Sequence, residues 1–164
     1  MKAFIYRHAD AVDGAPDEQR KLSSKGRKQA KGLAKALPAS EFEEIAEIWH
    51  SPLVRAEETA SIFKKNVSTL NDVSLFTVHE LEPAADVHAM GQLLGECEGD
   101  VITCGHNPFL EELITLLCAG EAGQGLLKLK KGGMLCLART TEASQNIPCG
   151  LWSIEWYLTP KLIS

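Results

Sequence analysis

Residues 2–9 read Lys2-Ala3-Phe4-Ile5-Tyr6-Arg7-His8-Ala9, a short apolar run that stops at an arginine and a histidine. An uninterrupted run of this length fits a strand buried on both faces. The same shape recurs twice. Residues 45–50 end at His50-Ser51-Pro52, with Arg55 shortly after, and residues 101–104 run into Gly105-His106-Asn107-Pro108. Open parallel sheets bind ligands outside the carboxyl ends of their strands. Three strand ends would therefore carry Arg7, His8, Arg55 and His106 to one edge, with few acidic residues among them.

The segments between these runs have helical spacing. From Ser24 onward Ala30, Leu33, Ala34 and Leu37 fall on one face, with Pro38 beyond the end, and helices are also expected over 53–65, 86–94 and 108–118. Further strands are expected over 74–78, 134–138 and 151–158. In the last, alternation places Trp152, Ile154 and Trp156 on one face as packing residues. Residues 10–22 read as loop. Strands alternating with helices give an α/β domain, a mostly parallel sheet flanked by helices in three layers, as one domain over residues 1–164.

Ser51-Pro52 and Asn107-Pro108 each pair a good N-cap residue with proline, which predicts two helix N-termini aimed at the loaded edge. Their free N–H groups and positive dipole ends suit an anion. Arginines suit bidentate contact with a phosphoryl group. A neutral imidazole is a nucleophile toward phosphorus, and neighbouring arginines keep it neutral by disfavouring the imidazolium. A second histidine can donate a hydrogen bond to the charge that develops.

Arg7-His8-Ala9 after an N-terminal strand, the stretch from Ser51 to Ala60, and Gly105-His106-Asn107-Pro108 together resemble, in order and spacing, the three motifs of the histidine phosphatase (phosphoglycerate mutase-like) superfamily. Asp17-x-x-Arg20-x-Leu22-Ser23, Glu80-Leu81-x-Pro83 and Trp152-x-Ile154-x-Trp156 are similar to its phosphohistidine phosphatase SixA branch. The likeness spans nearly the whole chain. It implies the family fold without a large cap insertion and His8 as a nucleophile that becomes phosphorylated. It also implies that Arg7, Arg55 and His106 bind and stabilise the phosphoryl group, with no metal or organic cofactor. Glu80, with Glu82 close by, lies in the stretch from which larger relatives take a proton donor. Arg20 either touches substrate or pairs with Asp17.

Larger relatives cap a small-molecule pocket with insertions between these motifs, so the resemblance implies that the short interval between Arg55 and His106 leaves a site open to a protein such as a histidine phosphotransfer domain. The same chemistry serves a phosphomonoesterase acting on a small metabolite or a phosphoserine protein. The competing reading outside catalysis is a phosphate-binding module, in which His8 never becomes phosphorylated.

Bulk composition is compatible with all three. The 164 residues are 45% hydrophobic and 24% charged with net charge −5, ordinary values for a folded chain and unfavourable for nucleic acid or an anionic membrane. Five cysteines without a CxxC pair suggest reduced thiols, and His50, His79 and His88 lack zinc spacing. No apolar run nears the ~20 residues of a membrane helix, and residues 3–6 are too short for a signal core. A cytoplasmic location is expected. Gly132-Gly133 reads as a turn, and Lys128, Lys130 and Lys131 as a solvated charge cluster able to attract an acidic partner.

Overall fold

A computed structural model describes residues 1–123 and 125–163. Six strands, β1 (Lys2–Arg7), β2 (Ile45–His50), β3 (Ser74–Thr77), β4 (Asp100–Gly105), β5 (Met134–Thr141) and β6 (Leu151–Leu158), form one sheet in the order β3-β2-β4-β1-β5-β6. The first four pair in parallel, and β5 and β6 add an antiparallel edge. Helices α1 (Ser24–Ala36), α2 (Val54–Lys65), α3 (Val87–Glu96) and α4 (Phe109–Ala119) complete the chain, with short 3-10 turns between.

The sheet separates two cores, because side chains alternate along each strand. Phe4 and Tyr6 of β1 face Leu33 and Ala34 of α1 and Ala56, Ala60 and Phe63 of α2. Ala3 and Ile5 face Met90 and Leu94 of α3 and the apolar side of α4. The result is the three-layer α/β/α arrangement expected from the alternating pattern. Strands β1 and β4 are neighbours, yet the helices that follow them pack on opposite faces, which opens a crevice at their carboxyl ends.

Two expectations fail locally. Trp152, Ile154 and Trp156 do not share a face: an irregularity in the β5–β6 register between Cys136 and Leu137 skips Glu155. Trp152 then packs in the α3/α4 core and Trp156 against the α1/α2 core, while Ile154 stays 43% exposed. Nor do Ser51 and Asn107 cap helices. Helix α2 begins at Val54 with Leu53 at its N-cap, α4 begins at Phe109 with Pro108 at its N-cap, and neither cap residue makes a side-chain cap bond. Both polar side chains have other partners inside the candidate site.

Candidate active site

The parallel register builds the site. Arg7 lies opposite Gly105, and His50 lies opposite Cys104. One step further, the His8 N–H donates to the Gly105 carbonyl at 2.9 Å and the Ser51 N–H to the Cys104 carbonyl at 3.0 Å. His8 and His106 therefore leave adjacent strands side by side, with ring centroids 5.0 Å apart and planes inclined by 49°. Arg55 comes in from the first turn of α2. All but Arg7, which is half-buried, are nearly inaccessible.

Each member is held through one part of its side chain. His8 Nδ1 lies 2.8 Å from the Ala9 carbonyl oxygen. A carbonyl only accepts, so the proton of the neutral ring sits on Nδ1 and the lone pair on Nε2. The Ala9 N–H donates to Thr59 Oγ1 at 3.0 Å, and Thr59 donates to the Arg55 carbonyl at 2.6 Å, which ties the loop after β1 to α2. Arg55 donates to Asp17 twice, to its carbonyl at 2.7 Å and to its carboxylate at 3.0 Å. Arg7 donates to the Leu129 carbonyl at 2.8 Å. His106 Nε2 meets Ser51 Oγ, whose oxygen also accepts the Leu53 N–H at 3.3 Å.

Electrostatics follow from burial among cations. His8 is lowered to about 4, chiefly by loss of solvent and further by Arg55, Arg7 and Lys131, against the opposing pull of the Ala9 carbonyl. His106 is lowered to about 3, again chiefly by burial, then by His8 and Arg55. Both rings are thus neutral at pH 7. Asp17 is held below the usual carboxylate range by hydrogen bonds from Arg20 and then Arg55, which keeps it ionised and unsuited to giving a proton.

The remaining sequence candidates fall outside this cluster. Arg20 donates to Asp17 at 2.9 Å and to the Val12 carbonyl at 2.7 Å, so it reaches Arg55 only through Asp17. Glu80 is exposed in the 3-10 turn His79–Leu81. That turn adjoins the end of β4, where the Leu81 carbonyl lies against Gly105. No hydrogen bond or ion pair joins Glu80 to the cluster among the described residues. His50 is a buried structural histidine whose Nδ1 donates to the Ser51 carbonyl at 2.8 Å. Among the described residues no group of three or more His, Cys, Asp or Glu is arranged to hold a metal ion, and no helix is long and apolar enough to cross a membrane.

Sequence reasoning misread Ser51 as a cap and missed Thr59, Glu111 and the part the 129–133 loop plays. Glu111 Oε1 accepts from Asn107 Nδ2 at 2.6 Å and from the Leu129 N–H at 2.9 Å, and Asn107 also donates to the Leu129 carbonyl. Asn107 thus secures the loop that holds Arg7. Gly132, at φ +71°, sends its N–H toward the Arg7 and His8 carbonyls, each at 3.1 Å. Only the glycine pair hinted at such an approach.

Residues 5–81 match the family model described as the histidine phosphatase superfamily (branch 1). Phosphohistidine phosphatase SixA of Escherichia coli (strain K12) is 30% identical over 126 residues, which is 74% of this chain and 76% of that protein. The solved structure of the protein histidine phosphatase SixA complexed with tungstate superposes over 100% of both chains with TM-score 0.81 at 26% identity. A putative phosphohistidine phosphatase SixA from Agrobacterium tumefaciens shares the fold over 97% of both chains, with TM-score 0.74 at 21% identity. With its paired histidines and arginines at the carboxyl edge of the same sheet, the chain belongs to the histidine phosphatase superfamily, in its SixA-like branch.

Proposed function

We propose that this phosphatase removes phosphate from a phosphohistidine on a protein substrate, through a phosphorylated His8. The observation that carries the mechanism is the state of His8: neutral, clamped at Nδ1 by Ala9 so that Nε2 keeps the lone pair, with Arg55 and Arg7 both disfavouring its protonation. Nε2 attacks phosphorus in line as the P–N bond to the substrate imidazole breaks, and that ring, already protonated on its other nitrogen, leaves as neutral imidazole. Water then attacks the phosphoryl group, the P–Nε2 bond breaks, and inorganic phosphate leaves.

Arg7, Arg55 and His106 stabilise the charge that develops on the phosphoryl oxygens. His106 Nε2 meets the Ser51 hydroxyl and its Nδ1 is buried with no partner among the described residues, so the tautomer with the proton on Nδ1 offers a free N–H to the phosphoryl group. Imidazole leaves more readily than an alkoxide, so the reaction places little demand on a proton donor. Glu80, in the turn beside the end of β4, is the candidate where an ester demands one.

The segment between α2 and α4 favours a protein substrate. There the described chain forms only 3-10 turns, the four-residue strand β3, α3 and β4. These elements belong to the sheet and its flanking layer and add no separate cap over the carboxyl edge, which supports a protein substrate. The SixA relatives, named as phosphohistidine phosphatases, support the same reading.

The test compares wild type and His8→Ala on a phosphohistidine-bearing phosphotransfer domain and on p-nitrophenyl phosphate, without added metal. Preference for the protein, lost in the variant, is the expected result. Turnover of the ester alone would retain the histidine mechanism and move the substrate to small phosphomonoesters. Activity surviving in His8→Ala would remove the mechanism altogether.

A further inference from the structure

The chain carries net charge −5, yet residues 20–36 hold seven of its seventeen Lys and Arg and no Asp or Glu. Arg20 and Arg27 of this segment are matched by Asp17 and Glu58. The lysines are left. Lys25 and Lys28 are exposed on α1 and make no ion pair among the described residues. With Gln29 and Gly32 they form one wall of a groove of about 700 Å³, and Pro160, Lys161 and Ile163 form the other. The lining combines ammonium groups with apolar surface.

This groove adjoins the His8 loop. Gln29 accepts the Asp10 N–H at 2.9 Å, two residues past His8. A Cβ on Gly132 would lie 3.1 Å from Pro160 and 3.2 Å from Gln29, so Gly132 fills the gap between the groove walls and the His8 carbonyl it contacts. Lys131, 45% exposed, lies between this face and the site and is paired with Asp10 at 3.6 Å. The lysine face and the nucleophile are separated by one layer of residues.

We infer that the lysine face of α1 and its groove are the docking surface for an acidic face of the phosphorylated protein substrate; this rests on the proposed phosphohistidine phosphatase reading. A phosphohistidine that reaches a buried His8 brings its own protein surface down on the ground around the site, and this is the strongly basic part of that ground. Complementary charge there raises the rate of productive encounter by about tenfold or more and orients the partner, while small substrates feel it little. The apolar strip at Pro160 and Ile163 gives the partner a dry contact beside the charge.

The test uses Lys25→Glu/Lys28→Glu and, as a milder pair, Lys25→Ala/Lys28→Ala. Each is assayed on a histidine-phosphorylated phosphotransfer domain of acidic surface and on phosphoramidate, at low and at moderate salt. Charge reversal is expected to lower kcat/KM for the protein about tenfold through KM, to flatten its salt dependence, and to leave phosphoramidate within about twofold. The alanine pair should give a smaller change of the same kind.

Unchanged turnover of the protein substrate in the reversed variant would overturn the docking surface and leave the function standing. Equal losses on both substrates, in the alanine pair as well, would assign these lysines to the fold and overturn it too. Loss of sedimentation with phosphatidylglycerol vesicles, with protein turnover unchanged, would transfer the surface to a membrane and overturn the proposal. Wild-type turnover of phosphoramidate but not of the phosphoprotein would overturn the substrate reading first, and the docking surface with it.

Discussion

Acidifying the protein from pH 7 to pH 5.5 should leave His8 unprotonated. An imidazole with its ordinary value near 6.5 is about nine-tenths protonated at pH 5.5, whereas His8, held to about 4, is protonated in only about 3% of molecules. The cause is burial first and the flanking cations second. Lys131→Ala should therefore move His8 upward by less than opening the site to solvent would. The assay is nitrogen-detected NMR of the imidazole ring between pH 3.5 and 8, which reads His8 directly and is independent of substrate titration. The neutral ring should show its proton on Nδ1, as the Ala9 carbonyl requires. Titration of His8 near 6.5, or a proton on Nε2 at pH 7, would refute the argument that this ring is a prepared nucleophile.

The same shift is a stability term. Between about pH 4 and pH 6.5 the unfolded chain holds a proton on residue 8 that the folded chain excludes, so stability rises with pH across that window. The contribution is fully present above pH 6.5 and is lost as pH falls toward 4. It amounts to about 3 kcal/mol, at roughly 1.4 kcal/mol per unit. Denaturant unfolding of His8→Gln should show a shallower loss across the same range.

Three substitutions probe the frame around the histidines, and a fourth the seam between α1 and the His8 loop. On the proposed mechanism, Arg55→Ala should lower kcat about 10²–10³-fold by removing a charge that stabilises the phosphoryl group. Asp17→Ala should cost only several-fold, because Arg55 keeps its bond to the Asp17 carbonyl, and equal losses in steady-state kinetics would contradict that division. Glu111→Ala strips the acceptor from Asn107 and from the Leu129 N–H and should destabilise by about 3 kcal/mol in urea melts, while Glu111→Gln, which keeps an oxygen there, should recover most of it. Gly26→Ala would drive a methyl into the Asp10 carbonyl and should cost about 3 kcal/mol, read as a fall in Tm of about 6–12 °C. A melt within about 1 °C of wild type would mean that α1 and the Asp10 loop part easily.

Much of this site is legible because strand ends are marked by chemistry that local sequence carries. An apolar run stopping at Arg7-His8, or at Gly105-His106, announces both the strand and what its end delivers. The pairing that sets those ends side by side is long-range: Arg7 against Gly105 is a fact of register, and nothing within residues 2–9 encodes it. The same limit explains one of the two misread caps, and a partner one helical turn away the other. Ser51 and Asn107 are good caps in isolation, but His106 and Glu111, 55 and 4 residues away, claim their side chains, and both helices start later. Local spacing makes Asp17 a partner of Arg20. It is that, and its second oxygen also holds Arg55, 38 residues on. The tryptophan face fails because one skipped residue, Glu155, inverts an alternation that period-two reasoning assumes unbroken.

The pattern of bonded and unbonded atoms at the site indicates why so much of its surroundings is scaffolding. Arg55 spends two N–H groups on Asp17, Arg7 one on Leu129, and His8 its only N–H on Ala9. Left without a partner among the described residues in the buried cluster are Arg7 Nε, Arg55 Nε and His106 Nδ1. Each buried unsatisfied polar group costs about 1–3 kcal/mol, in a fold whose whole stability is of order 5–15 kcal/mol. A sequence selected for stability alone would not gather three of them beside an imidazole that burial keeps from charging. An anionic group with several acceptor oxygens would satisfy them at once. The clamps on the opposite sides of the same side chains fix them in place before that group arrives, so little reorganisation remains for the transition state to require.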